Sequence, residues 1–155
     1  MEVLVDTSIW IDYFRSGDNS KNLDFLIDEN LIVTNDIILA ELIPYLKIKK
    51  QTKVIKSLHE VNRTPLDIHW EEIIECQVKC LKGGVNGAGI SDLIIAQNAK
   101  QNDSQVYSLD KHFRLLNQVL KVKLYEHTRK LDMPHITPPC RCNTRLSQDA
   151  TAFQK

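Results

Sequence analysis

Four short apolar runs constrain this chain more than anything else in it: EVLV (2–5), LIVT (31–34), QVYSL (105–109) and VKLYE (122–126). EVLV shows no alternation of polar and apolar residues, which is the pattern of an interior parallel strand rather than of a strand wetted on one face. Between the runs the spacing of apolar residues switches to that of helices. Ile9, Trp10, Tyr13 and Phe14 share one face of SIWIDYF (8–14), and Leu23, Leu26 and Ile27 form the stripe of KNLDFLIDE (21–29). Strands alternating with helices call for a parallel sheet covered on both faces, an α/β sandwich.

Further helices are expected over IILAELIPYLKI (37–48), KVIKSLHEV (53–61), residues 69–82, DLIIAQNAK (92–100) and DKHFRLLNQ (110–118). Asn35 or Asp36 is placed to cap the first of these. Pro44 falls inside the same pattern and is expected to kink it or to mark a new first turn. NRTPLD (62–67) reads as a break, because Pro65 disfavours helix before it. GGVNGAGISD (83–92) is the loosest stretch of the body. It lacks the Lys-Ser/Thr of a phosphate-binding loop and follows a helix rather than a strand, so it reads as a hinge that brings Asp92 to its place.

At 155 residues the chain suits one domain with one core, expected over 1–130, and residues 131–155 read as an irregular tail with three prolines. Formal net charge is zero, so no long-range field draws the whole molecule to a polyanion, and any such partner has to be held locally. KIKKQTKVIK (47–56) reads first as a solvated helix face with Ile48, Val54 and Ile55 turned inward, which can serve as a basic patch as well, and Lys111, His112 and Arg114 offer another. No leader and no run of about 20 apolar residues is visible, so a soluble, cytoplasmic protein without membrane contact is expected. Cys76 and Cys80 share a helix face and read as buried free thiols; a zinc site shared with Cys140 and Cys142 matches no common spacing.

Acids matter most where their neighbours are apolar. Asp6 ends the first run and Asp110 follows QVYSL, so both are expected at the carboxyl edge of the sheet, where open α/β folds bind ligands. Glu41 has Ile37, Ile38 and Tyr45 at helical spacing, and Asp92 tops the stripe of Ile95, Ala96 and Ala99, so both are expected to point inward. Each acid alone has an ordinary explanation as a helix cap, a turn starter or half of an ion pair. Four together would repel one another and lose hydration, and no set of arginines lies beside them in sequence. A hard divalent cation, Mg²⁺ or Mn²⁺, is the natural counterion, and it points to phosphoryl chemistry.

VDTSIWIDYF (5–14), the acid of AEL (40–42), SDLIIAQNA (91–99) and SLDKHF (108–113) resemble, in order and spacing, the four acidic motifs of the PIN-domain family, and more closely its VapC-type toxin ribonucleases. The resemblance covers about residues 1–128 and implies a three-layer α/β/α sandwich around a short parallel sheet. It implies that Asp6, Glu41, Asp92 and Asp110 form an acidic catalytic pocket, with Asp6, Asp92 and Asp110 as metal ligands. It also puts Ser108 at a place that commonly carries a small hydroxyl, with Ser8 able to orient the pocket.

The expected activity is hydrolysis of RNA phosphodiesters assisted by Mg²⁺ or Mn²⁺, leaving a 5′ phosphate and a 3′ hydroxyl. Lys47, Lys49, Lys50, Lys111 and Arg114 are the expected contacts to the RNA backbone. A homodimer and a cognate antitoxin protein that covers the pocket are implied partners. Two alternatives stand beside this reading: a binding-only relative of the same fold, and a receiver-like module that accepts a phosphoryl group. The receiver needs an aspartate at the end of a central strand and a lysine at the end of a later one, whereas LIVT ends in Thr34 and the last run in Glu126.

Overall fold

Val3, Leu4 and Val5 are almost wholly buried, as a strand covered on both faces must be. They form β1 (Val3–Val5), which in the computed structural model, describing residues 1–126, sits inside a sheet with β2 (Ile32–Thr34), β3 (Asn62–Arg63) and β4 (Gln105–Tyr107). The order is β3-β2-β1-β4 and every pairing is parallel. Leu4 lies opposite Val33 on one side and Val106 on the other.

Parallel neighbours need crossovers, and among the described residues α1 (Thr7–Phe14), α2 (Leu23–Asp28), α3 (Asp36–Ile48), α4 (Thr52–Glu60), α5 (Trp70–Lys82) and α6 (Ile90–Gln101) supply them, with α7 (Lys111–Leu120) following β4. The chain steps outward from β1 to β2 to β3, then jumps back across the sheet to β4. Right-handed crossovers therefore put α1 to α4 on one face and α5 to α7 on the other, and the packing of α3 on α4 and of α5 on α6 and α7 follows that division. The core runs through Trp10, Phe14, Ile38, Leu42, Leu58, Leu93 and Phe113.

Three local expectations change. NRTPLD is not only a break: Asn62 and Arg63 add an edge strand beside β2, and the Thr64 N–H donates to the Thr34 carbonyl at 2.9 Å before Pro65, which has no N–H, ends the pairing. Both residues are exposed, so no apolar signal marked them. VKLYE forms no strand; it makes a single parallel bridge, Val106 to Leu124. α3 carries Pro44 inside one helix, so the proline starts no new one. Asn35 does cap it, accepting the Ile38 N–H at 3.0 Å.

Cys76 and Cys80 are buried free thiols on α5, with pKa values pushed up by burial. Cys140, Cys142 and the 131–155 segment lie outside the described residues. Among the described residues no helix is long and apolar enough to cross a membrane.

Candidate active site

The strand order reverses beside β1, between it and β4, and both strands run out into acids at that point. Asp6 follows β1 and N-caps α1, its Oδ2 accepting the Ser8 N–H at 3.2 Å. Asp110 is separated from β4 by Ser108 and Leu109 and N-caps α7, its Oδ1 accepting the His112 N–H at 2.9 Å. Asp92 lies in the first turn of α6 and accepts the Gly89 N–H at 2.8 Å. The ordinary roles expected of these acids, as helix caps and first-turn acids, are therefore real, and they coexist with convergence at one edge. The positive ends of three helix dipoles meet the acids there and offset part of their repulsion.

Two serines tie the strand ends together. Asp6 Oδ2 accepts from Ser8 Oγ at 2.6 Å and from Ser108 Oγ at 2.8 Å, while the Leu109 N–H donates to Ser8 Oγ and the Asp110 N–H to Ser108 Oγ, both at 3.0 Å. Asp6 is buried, and among the described residues no hydrogen bond falls on its Oδ1. A carboxylate held through one oxygen by three donors, with the other left over, is oriented rather than neutralised.

Asp92, Asp110 and His112 each offer one ligand atom, and these atoms lie within 4.8 Å of one another. Asp92 has its pKa raised, first by burial and then by the charges of Asp110 and Asp6, against the opposing Gly89 N–H and His112. The donors present, carboxylate oxygens and an imidazole, crowd more negative charge than the local hydrogen bonds relieve, and they fit a divalent cation.

Glu41 does not point inward. The buried side of α3 is Ile38, Leu39, Leu42 and Leu46, and Glu41 sits on its flank, where Ile37 is only partly covered. It is exposed, and accepts from Thr7 Oγ1 at 3.0 Å, which ties it to the residue after Asp6. Asp12, on α1, is half-buried: the turn after the helix lays Gly17 on its carboxylate so closely that a Cβ there would stand 2.1 Å from Oδ1.

His112 is the residue that sequence reasoning left in a surface patch. It is half-buried, its Nδ1 2.9 Å from Asp110 Oδ1. The signal was available, because the N–H bonded by an N-cap aspartate belongs to the residue two places on, which sets that side chain beside the acid. Lys111 and Arg114 are exposed on the same first turn. Lys47, Lys49 and Lys50 lie at the C-terminal end of α3; Lys47 is about 9 Å along the helix from Glu41, at 1.5 Å per residue. An open groove of ≈ 650 Å³ runs from Ser108 and Asp110 past Arg114, Tyr107 and Tyr125 to Lys21.

A family model, the PIN domain, matches residues 3–118. Among solved structures, the crystal structure of VapBC2 from Rickettsia felis bound to a DNA fragment from their promoter is similar at 22% identity and a TM-score of 0.64, over 81% of this chain and 98% of that one. At that identity the likeness shows the fold. No curated protein matches the chain.

Proposed function

Because the chain belongs to the PIN-domain family, we propose that it is a divalent-metal-dependent endoribonuclease, the toxin of a type II toxin–antitoxin pair. The observation that carries this reading is the convergence of Asp6, Asp92 and Asp110 where β1 and β4 part. Asp92 and Asp110 would hold the ion, with Asp6 contributing charge from the strand end. Bound there, a divalent ion supplies positive charge to the scissile phosphate and acidifies water, which is what phosphodiester hydrolysis requires.

The chain's own groups do the positioning. Ser8 and Ser108 hold Asp6 through one oxygen, and Thr7 brings Glu41 to the rim as a fourth carboxylate. Lys111 and Arg114, one turn from Asp110, are better placed than Lys47, Lys49 and Lys50 to meet the phosphates flanking the cleaved bond. Exposed Ile90 and Leu109 flank the acids and offer apolar faces to unstacked bases. Hydrolysis in this arrangement leaves a 5′ phosphate and a 3′ hydroxyl.

Two protein partners belong to the reading, both in the cytoplasm. The similarity to VapBC2, a structure with promoter DNA, supports a cognate antitoxin, whose cationic segment would cover the acidic pocket. A homodimer is supported by α5, on which Trp70, Ile74, Val78 and Leu81 form one exposed apolar stripe. Glu71 and Glu75 lie in its first half and Lys79 and Lys82 in its second. An antiparallel copy therefore sets acid against base. Ile74→Asp should convert the dimer to a monomer in sedimentation velocity; an unchanged dimer removes α5 from the interface.

The nuclease reading is tested with 3′-end-labelled single-stranded RNA and Mn²⁺ or Mg²⁺, wild type beside Asp6→Asn. Fragments carrying 5′ phosphate from the wild type, and none from the variant, are expected. Equal cleavage by both proteins contradicts the site. No cleavage by either, with folding intact, leaves a binding domain.

A further inference from the structure

Resting on the ribonuclease reading above, we infer that the groove running from Asp110 is a nucleobase subsite, in which Tyr125 is the stacking platform for a base beside the cut bond. The groove opens at Ser108, Leu109 and Asp110, so whatever lies in it is continuous with the acidic site. Arg114 and Gln118 line it from α7, about 6 and 12 Å along the helix from Asp110 at 1.5 Å per residue. Its volume of ≈ 650 Å³ falls among the clefts of about 300–1,000 Å³ that enclose small ligands, which suits a nucleotide.

The lining favours a base over a run of phosphates. Lys21 is paired with Asp18 at 2.8 Å, and Arg114 shares the groove with Asp110 and Glu126, so the described residues give it no excess of positive charge. What they offer instead is a fixed aromatic ring. Tyr107 is buried, its hydroxyl donating to the Asn19 carbonyl at 2.7 Å, and its ring centroid lies 4.9 Å from that of Tyr125 at a tilt of 54°. The Tyr125 backbone is tied as well, its N–H donating to the Val106 carbonyl at 2.9 Å. A half-buried ring braced by a second ring and by β4 has little freedom to lose when a base stacks on it. Nearby, Asn117 commits its Nδ2 to the Val122 carbonyl, while Gln118 holds an exposed amide, donor and acceptor together, for the edge of the base.

The inference is tested with the full chain in chelator, so that the probe stays intact, using short single-stranded RNAs that carry the fluorescent base 2-aminopurine at successive positions. Binding should quench the fluorescence most at one position, as stacking on a ring does, and Tyr125→Phe should keep that quenching. Tyr125→Leu, which retains apolar packing on Tyr107 without a flat face, should relieve it and weaken binding at least about fivefold, the low end of the effect of removing an aromatic platform. Gln118→Glu, on the exposed surface of α7, sets a charge in the groove without touching the packing and should weaken binding too. Unchanged binding and quenching in Tyr125→Leu overturns the subsite and leaves the nuclease reading standing if the wild type still cuts RNA with Mn²⁺. No RNA binding in chelator by the folded wild type also overturns the subsite, and the nuclease reading falls with it only if cleavage with Mn²⁺ is missing as well.

Discussion

The carboxyl edge of the sheet carries two polar clusters, and they are built on opposite plans. Beside β2 and β3, Asn35 Nδ2 donates to Asn98 Oδ1 at 3.0 Å, Thr64 Oγ1 donates to the same oxygen at 2.7 Å, and Asn98 Nδ2 donates to the Pro65 carbonyl at 2.8 Å. These side chains are neutral, buried and bonded to one another. Beside β1 and β4 the side chains are charged and partly open, and Asp92 has its pKa raised by burial and then by the charges of Asp110 and Asp6. A closed network of neutral groups locks α3, α6 and the β3 edge in place; an under-compensated set of acids keeps capacity for something from outside.

Breaking each cluster should therefore damage a different property. The largest effect is expected from Asp6→Asn, which should cut RNA cleavage on the order of 10²-fold or more while leaving the melting temperature close to wild type, measured by initial rates and thermal unfolding. Asn98→Ala should do the reverse. It takes the Asn98 partner from Asn35 Nδ2 and the Pro65 carbonyl and leaves Thr64 Oγ1 only the Thr34 carbonyl at 3.2 Å, for about 2–3 kcal/mol of stability by denaturant unfolding, with cleavage per folded molecule retained. If Asn98→Ala lost activity without losing stability, the division between the two clusters would fail.

Ser108→Ala probes the join between β1 and β4. Removing one of three donors to Asp6 and the acceptor for the Asp110 N–H should lower cleavage about tenfold, corresponding to about 1.4 kcal/mol, a charge-assisted bond's worth. The smallest effect concerns Asp92 in the metal-free protein. A carboxyl whose folded pKa lies above its unfolded value binds more protons folded than unfolded between the two, so stability falls as pH rises from the ordinary carboxylate range through the raised value. Asp92→Asn should flatten that slope and raise the melting temperature slightly above it, even as it removes activity.

Much of this was legible because local rules and the global fold agree. EVLV and the aspartate that ends it marked β1 and its acid; QVYSL and SLDKHF did the same for β4 and Asp110; and Asn35 was readable as a cap. What escaped depended on tertiary context. β3 is two exposed residues that pair only because β2 offers an edge, so nothing apolar announced it. Glu41 shares helical spacing with Ile37 and Tyr45, but both of these are only partly covered, and the stripe that faces the core begins one residue further round, at Ile38. Asp12 is enclosed by a turn that folds back through Gly17, which the α1 pattern alone does not encode. His112 was hidden by charge bookkeeping, since a histidine between Lys111 and Phe113 near an arginine looks like a patch until Asp110 claims its ring.

The most direct test of the open acidic cluster is the rate of cleavage of a single-stranded RNA by the wild-type chain as chelator and then Mn²⁺ are added in turn. Cleavage should stop when free divalent ion is removed and return when Mn²⁺ is restored. Cleavage that continues unchanged in excess chelator would contradict a cation held by Asp92 and Asp110 beside the charge of Asp6.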